Sequence, residues 1–333
     1  MKIIKSLIKK LPGYRFLAKK IIRPTFNIIQ IMSSYKYDLI RFLKYGGHKE
    51  SEESLIAAIT MAYHVAEKGL TMPNMRVGFG HDNLFSLIEM LNKYGTEYNC
   101  KNEQFKHAVA VVAEYYETHK TLNYRLENKL EEAITDLLEK WPISPSEQIE
   151  MTKSEYYKYV NSDFMLFSNS RHSVRNFEGN ISAEQIQKAV EIANNAPSAC
   201  NRQPCKVHLV SDKEIIKDCL ALQNGNRGFG HLADKLLIIT ADVRHSWPIE
   251  CLDVRTNAGI YIMNLCYALH YNKVAHCILN WFAPPRSNRL LQKILKFSPA
   301  EVIVAFILCG DVPERFKVAG SRKRAVAENL IIH

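Results

Sequence analysis

An α+β core preceded by an all-helical region is the fold class this sequence predicts. Three observations carry that expectation. From Ser51 to about Lys140 apolar residues recur at helical spacing and no convincing strand interrupts them. From about residue 180 onward, apolar runs of strand length alternate with helical stretches. Between the two regions Trp141-Pro142 and Pro145 punctuate the chain. The expected organisation is a basic amphipathic arm over 1–50, a helical domain over 51–140, a linker region over 141–160 and a second domain over 161–333.

In the arm, Ile4, Leu7, Ile8 and Leu11 share one helical stripe, with Lys2, Lys5, Lys9 and Lys10 largely off it, and Pro12-Gly13 ends the run. Such a stripe serves equally well on an anionic membrane surface or against the protein's own body with its lysines solvated. Residues 1–24 are therefore the expected peripheral membrane contact, if there is one.

Ser51 is placed to cap a helix carrying Leu55, Ile56, Ile59, Ala62 and Tyr63, with Glu52 and Glu53 favourable in its first turn. Asp82 is expected to cap a second helix through Leu84, Leu87, Ile88 and Leu91, ending at Gly95. Amphipathic runs around Phe105 to Thr118 and Leu122 to Lys140 supply two more. On the first of these helices, His64 and Glu67 lie three apart and Lys68 one turn from His64, which makes either a small charged site or, the plainer reading, a capping and solvation feature.

The second domain opens with Ser182-x-x-Gln185, a capping box, and an apolar face of Ile186, Ala189, Val190 and Ile192. Strands are expected over Lys206 to Val210, Leu236 to Thr240, Val274 to Leu279 and Val302 to Cys309, with helices over about 213–222, 252–271 and 286–296.

Composition limits the function classes. At 333 residues and 47% hydrophobic, the chain can bury a large core and has room for two domains. Residues 1–50 hold twelve Lys and Arg against Asp38 and Glu50, which accounts for the whole net charge of +10. A basic arm on a neutral body argues against a nucleic-acid-binding protein. The eight cysteines include no C-x-x-C and no zinc-site spacing, so reduced thiols, a cytoplasmic location and no bound metal are expected. No run of about 18 apolar residues is present, and no spanning helix or secretory leader is expected.

Chemistry speaks in two clusters. Arg171-His172-Ser173-Val174-Arg175 sets two guanidiniums and a hydroxyl within five residues, a donor-rich arrangement suited to a phosphate. After one intervening helix, Ala196-Pro197-Ser198-Ala199-Cys200-Asn201-Arg202-Gln203-Pro204-Cys205 is a polar, proline-marked loop running into a strand. Read by themselves, the first is an ordinary solvated loop as readily as a phosphate grip, and the second an ordinary turn.

Together, and in this order, they resemble the nitroreductase family of FMN-dependent oxidoreductases. Arg171, Ser173 and Arg175, with His172 between, match the family's R-x-S-x-R cluster, and residues 196–204 fill every fixed position of its A-P-S-x-x-N-x-Q-P segment. Arg322-Lys323-Arg324 with Glu328 resembles its closing basic segment. The string YHVAEKGL with a downstream GFG is similar to nitroreductase-like proteins of surface-polysaccharide gene clusters.

The resemblance implies a nitroreductase-like mixed sheet with surrounding helices over 161–333 and FMN as cofactor. It implies that Arg171, His172, Ser173, Arg175, Arg322 and Arg324 take the phosphate end. Pro197, Ser198, Asn201 and Asn226 would position the ring. It further implies NAD(P)H as co-substrate, a small-molecule electron acceptor and a homodimer whose sites draw on both subunits. No side chain is required as acid or base, because the flavin performs the chemistry.

Two departures concern the reactive face. Cys205 stands where many members carry an aromatic residue, and Tyr271 to Cys277, followed by Asn280-Trp281-Phe282-Ala283-Pro284-Pro285, replaces the family's glycine-rich segment. Trp281 and Phe282 are read equally as pocket wall or core filling. Cys200 and Cys205 bracket the loop without the geometry of a redox dithiol. The competing reading is a non-enzymatic protein that keeps the fold, with FMN as a structural ligand, and docks to a membrane or an assembly partner through its basic arm.

Overall fold

The computed structural model describes residues 23–45, 51–98, 100, 102–146, 148–246, 250 and 252–333. The stripe expected over Ile4 to Leu11, and nearly all of the segment 1–24, lies outside them.

Helix α1 (Arg23–Tyr45) leaves Phe26, Ile28, Ile29, Met32, Leu39 and Ile40 each more than half exposed. The helical half follows as α2 (Glu52–Leu70), α3 (His81–Glu97), α4 (Glu103–Thr121) and α5 (Asn128–Lys140). Ser51 caps α2 as expected, its Oγ accepting the Ser54 N–H at 3.2 Å. The cap of α3 is Gly80, not Asp82: Gly80 takes φ 69°, a left-handed turn open to glycine, and Asp82 sits inside the first turn. Nor does α3 stop at Gly95. A Cβ there would meet the Trp141 ring at 2.1 Å, so Gly95 serves close packing rather than termination. The last helix begins at Asn128 because Asn123, at φ 53°, turns the chain first. Leu55, Ile59, Leu84, Leu91, Phe105, Val112, Leu130 and Ile134 close these helices around one apolar core.

Apart from single-turn helices, the remaining elements are β1 (Ile149–Thr152), α6 (Phe164–Ser170), α7 (Ala183–Ala193), β2 (Cys205–Val210), α8 (Lys213–Ala221), β3 (Lys235–Asp242), α9 (Asp253–Tyr271), β4 (Ala275–Asn280), α10 (Pro285–Leu295), β5 (Glu301–Gly310) and β6 (Arg315–Val318). The Ser182–Gln185 capping box starts α7 as read. Segment 141–160 is not a plain linker. Its β1 pairs antiparallel with β6, Ile149 opposite Val318 and Thr152 opposite Arg315, and Tyr156 is buried in one apolar cluster with Phe177, Phe316 and Val318. The partner strand lies near the far end of the chain, where no local pattern could show it.

The main sheet has the order β2-β3-β5-β4. Each of its pairings is antiparallel, so its mixed character lies in the helices around it rather than in strand direction. Period-two alternation divides its side chains between two layers. Leu236, Ile238, Phe306 and Leu308 pack with Val210 and Leu291. Leu237, Ile239, Ile307 and Cys309 pack with Ile186 and Ala189 of α7 and Leu265 and Leu269 of α9. The helical half is bonded to this α+β body. Gln104 Nε2 donates to the Arg322 carbonyl at 3.2 Å, and the Ser321 N–H donates to Glu67 Oε1 at 3.2 Å.

Candidate functional site

The segment 171–178 runs as extended chain alongside β4, with the Val174 N–H donating to the His276 carbonyl at 3.0 Å. Alternation sends Val174 into the core and aims Arg175 toward the helical half. There Arg175 is 8% exposed, its Nη2 donates to His64 Nε2 at 3.4 Å, and its Nε has no hydrogen-bond partner. Among the described residues, no carboxylate forms an ion pair with Lys68, Arg171, Arg175, Lys323 or Arg324. Buried charges in proteins are ordinarily paired, so an unpaired guanidinium within a group of cations marks a place for an anion.

The nearest acid is already committed. Glu67 is fully buried and its Oε1 accepts from His107 Nε2 at 2.8 Å as well as from the Ser321 N–H. Its Oε2 lies 3.6 Å from His64 Nδ1, an ion-pair distance rather than a hydrogen bond. Burial works to raise its pKa, but the His107 and His64 contacts outweigh it and hold the carboxyl down at about 2. His64, Glu67 and Lys68 are therefore not a solvated helix end. The i, i+3, i+4 spacing was visible in the sequence, but only the fold shows what the face meets.

On the other side of the cluster, His172 is kept neutral, its pKa pushed down to about 4 by burial and by the charges of Arg171 and Lys323. Burial first, and the charge of Arg171 after it, lower the pKa of His270 and His276. Ser173 is half-buried within the same segment. The closing basic segment divides in an unexpected way. Arg322 pairs with Glu103 at 2.5 Å and is 58% exposed, so it is spent on the helical half. Lys323, not singled out from the sequence, is the charge felt by His172, while Arg324 acts on Tyr63 of α2.

The loop 196–205 is held in a strained form. Cys200, Asn201 and Gln203 all take left-handed φ, at 52°, 53° and 48°. Hydrogen bonds fix it: Ser198 Oγ accepts the Gln203 N–H at 2.9 Å, and Asn257 Oδ1 accepts the Ala199 N–H at 2.8 Å. Asn257 thus does more than pack α9. A cavity of about 130 Å³ opens between Pro197, Ser198, Gln203, Pro204, Asn257 and Tyr261. Asn201 is exposed, its Oδ1 accepting from Gln203 Nε2 at 3.2 Å. Asn226 donates its amide within its own loop, to the carbonyls of Leu220 at 2.9 Å and Gln223 at 2.7 Å, which leaves Oδ1 as its available group. Burial raises the Cys205 thiol to about 11, against a reactive pairing with Cys200. Trp281 stacks on Phe306 and donates to Asn288 as core filling, while Phe282 is 90% exposed.

The loop is anchored at Asn257, whereas Ser170, beside the arginine segment, hydrogen-bonds His270 at 2.8 Å. Thirteen residues of α9 between these anchors place them about 20 Å apart along the helix axis.

The nitroreductase family model matches residues 169–236, which contain both clusters and Asn226. Over that segment the chain is similar to the nitroreductase family. A nitroreductase family protein from Streptococcus pneumoniae TIGR4 is 20% identical with a TM-score of 0.44, the match covering 51% of this chain and 100% of that one. A nitroreductase-like protein from Streptococcus mutans is 17% identical with a TM-score of 0.45, covering 51% and 98%. A Desulfovibrio desulfuricans protein in complex with FMN is 19% identical with a TM-score of 0.44, covering 52% and 98%. No curated protein matches the chain. The nitroreductase segment ends before Arg322 to Arg324, so the family model does not reach the third cluster. Among the described residues no helix is long and apolar enough to cross a membrane.

Proposed function

We propose that this protein is an FMN-dependent oxidoreductase that takes reducing equivalents from NADH or NADPH and passes them to a small-molecule acceptor. The observation that carries the reading is the buried Arg175 inside the family-matched segment, whose Nε has no hydrogen-bond partner and which forms no ion pair with a carboxylate among the described residues. Such a donor set fits a phosphate monoester. When bound, FMN supplies the redox chemistry through its ring. The protein's part is to hold it: Arg171, Ser173, Arg175 and Arg324 at the phosphate, Pro197, Ser198 and Asn201 at the ring. Arg322 contributes through Glu103 by fixing the closing segment, and Asn226 offers its Oδ1.

A homodimer is part of this reading, supported by the two anchors lying near opposite ends of α9. A second copy is the simplest way to set the loop of one chain beside the arginines of another. Phe164 and Met165 of α6 are 68% and 71% exposed, and Ile260, Met263 and Tyr271 of α9 are exposed as well, an apolar surface able to serve that contact.

The test is the absorbance spectrum of the purified protein supplied with FMN and titrated with NADH and with NADPH. A flavin band that bleaches with either nucleotide and returns with an acceptor supports the enzyme. A preparation that gains no FMN overturns it. A second reading, docking of the basic arm to an anionic membrane, is favoured by the uncovered apolar side chains of α1.

A further inference from the structure

The two halves of the chain meet at the cationic cluster, and the helical half brings its own groups to it. Glu67 fixes the rotation of α2: buried among His107, the Ser321 N–H and His64, it cannot turn away from the α+β body. With Glu67 so placed, His64 and Lys68 share a helix face, four residues apart. His64 already accepts a hydrogen bond from Arg175 across the junction. Lys68 is half-buried without an ion-pair partner among the described residues.

We propose that Lys68 and His64 belong to the anion site of Arg175, so that a bound phosphate monoester is gripped from both halves of one chain. The proposal rests on the reading of Arg171 to Arg175 as a phosphate end, and adds residues from outside the family-matched segment to it. Its physical ground is the cost of the arrangement without an anion. An ammonium and a guanidinium brought together in a partly buried junction repel, and each loses hydration. The Lys68 pKa is lowered first by burial and then by Arg175, as that repulsion requires. A dianion between them removes the repulsion and supplies acceptors for the free Arg175 Nε–H and for the ammonium. His64 presents Nε2 to Arg175 and turns Nδ1 toward Glu67, which orients the guanidinium instead of competing for the phosphate.

The experiment compares FMN with riboflavin, which has the same ring and no phosphate, on the full chain. Lys68→Gln is expected to weaken FMN binding on the order of tenfold or more, to leave riboflavin binding unchanged, and to be largely rescued by Lys68→Arg. His64→Gln is expected to give a smaller loss, again confined to FMN. FMN affinity within twofold of wild type in Lys68→Gln overturns the proposal while leaving the oxidoreductase reading intact. Equal losses for FMN and riboflavin also overturn it, because they report a structural role. If neither flavin binds the wild-type chain, the oxidoreductase reading fails, and thermal unfolding with inorganic phosphate decides the site separately. A phosphate-dependent rise in Tm that Lys68→Gln abolishes upholds it, and no rise in the wild type overturns it.

Discussion

Arg175 Nη2 donates across the junction between the two halves to His64 Nε2, 3.4 Å away. The contact joins the family-matched segment to a helix of the other half, and it leaves the guanidinium Nε buried and unpartnered. A cation in that position gains most from an anion. Replacing Arg171 and Arg175 together with Ala removes two donors of charge-assisted hydrogen bonds, each worth about 1.5–3 kcal/mol, so FMN affinity should fall by roughly a hundredfold or more. Flavin absorbance per protein after gel filtration measures it. Wild-type flavin content in the double variant would show that the phosphate lies elsewhere.

Acid should destabilise the protein before its carboxylates titrate. Burial, with the Arg171 charge adding to it, pushes His172 and His276 down to about 4 and His270 to about 3. These groups stay neutral in the folded chain while the unfolded chain takes up protons below about pH 6.5, so their stability contribution is complete above that pH. It is lost as pH falls toward 4, at about 1.4 kcal/mol per pH unit for each group within its window. Glu67, held at about 2, adds a further loss below about pH 4.5. Tm measured from pH 7.5 to 4 should decline, and His270→Gln should flatten the curve. A Tm independent of pH over that range would contradict the assignment.

Gly95→Ala should destabilise the helical half. Alanine is the better helix former by about 1 kcal/mol, yet its Cβ would fall 2.1 Å from the Trp141 ring, which packs against the apolar core of the helical half. Urea unfolding should show a net loss of about 1–3 kcal/mol. A gain in stability would mean that the Trp141 ring moves freely.

On the proposed homodimer, charging the apolar surface of α6 should separate the two copies. Phe164→Asp combined with Met165→Asp is expected to give a monomer by analytical ultracentrifugation, and with it a flavin-poor protein, if a second copy completes the site. A monomer that binds FMN as well as wild type would show that one chain completes the site.

Deleting residues 1–24 tests the membrane reading. Binding to vesicles containing phosphatidylserine should be lost, while FMN content is kept. Vesicle binding that survives the deletion assigns the contact to another surface, with the exposed stripe of α1 the next to examine.

By itself the sequence determined what is local. The Ser182–Gln185 capping box, the four strands of the main sheet and the helices between them follow from patterns within ten to twenty residues, and the Arg171 to Arg175 and Ala196 to Pro204 clusters are contiguous. Tertiary structure decided everything that depends on a distant partner. The pairing of β1 with β6 converts an apparent linker into part of the body. The meeting of Glu67 with Ser321 makes a charged helix end into a buried junction, and Glu103 pairs with Arg322. The physical reason is common to all three. A charged or polar residue takes its role from what it faces when water is removed, and the groups faced here lie more than a hundred residues away along the chain.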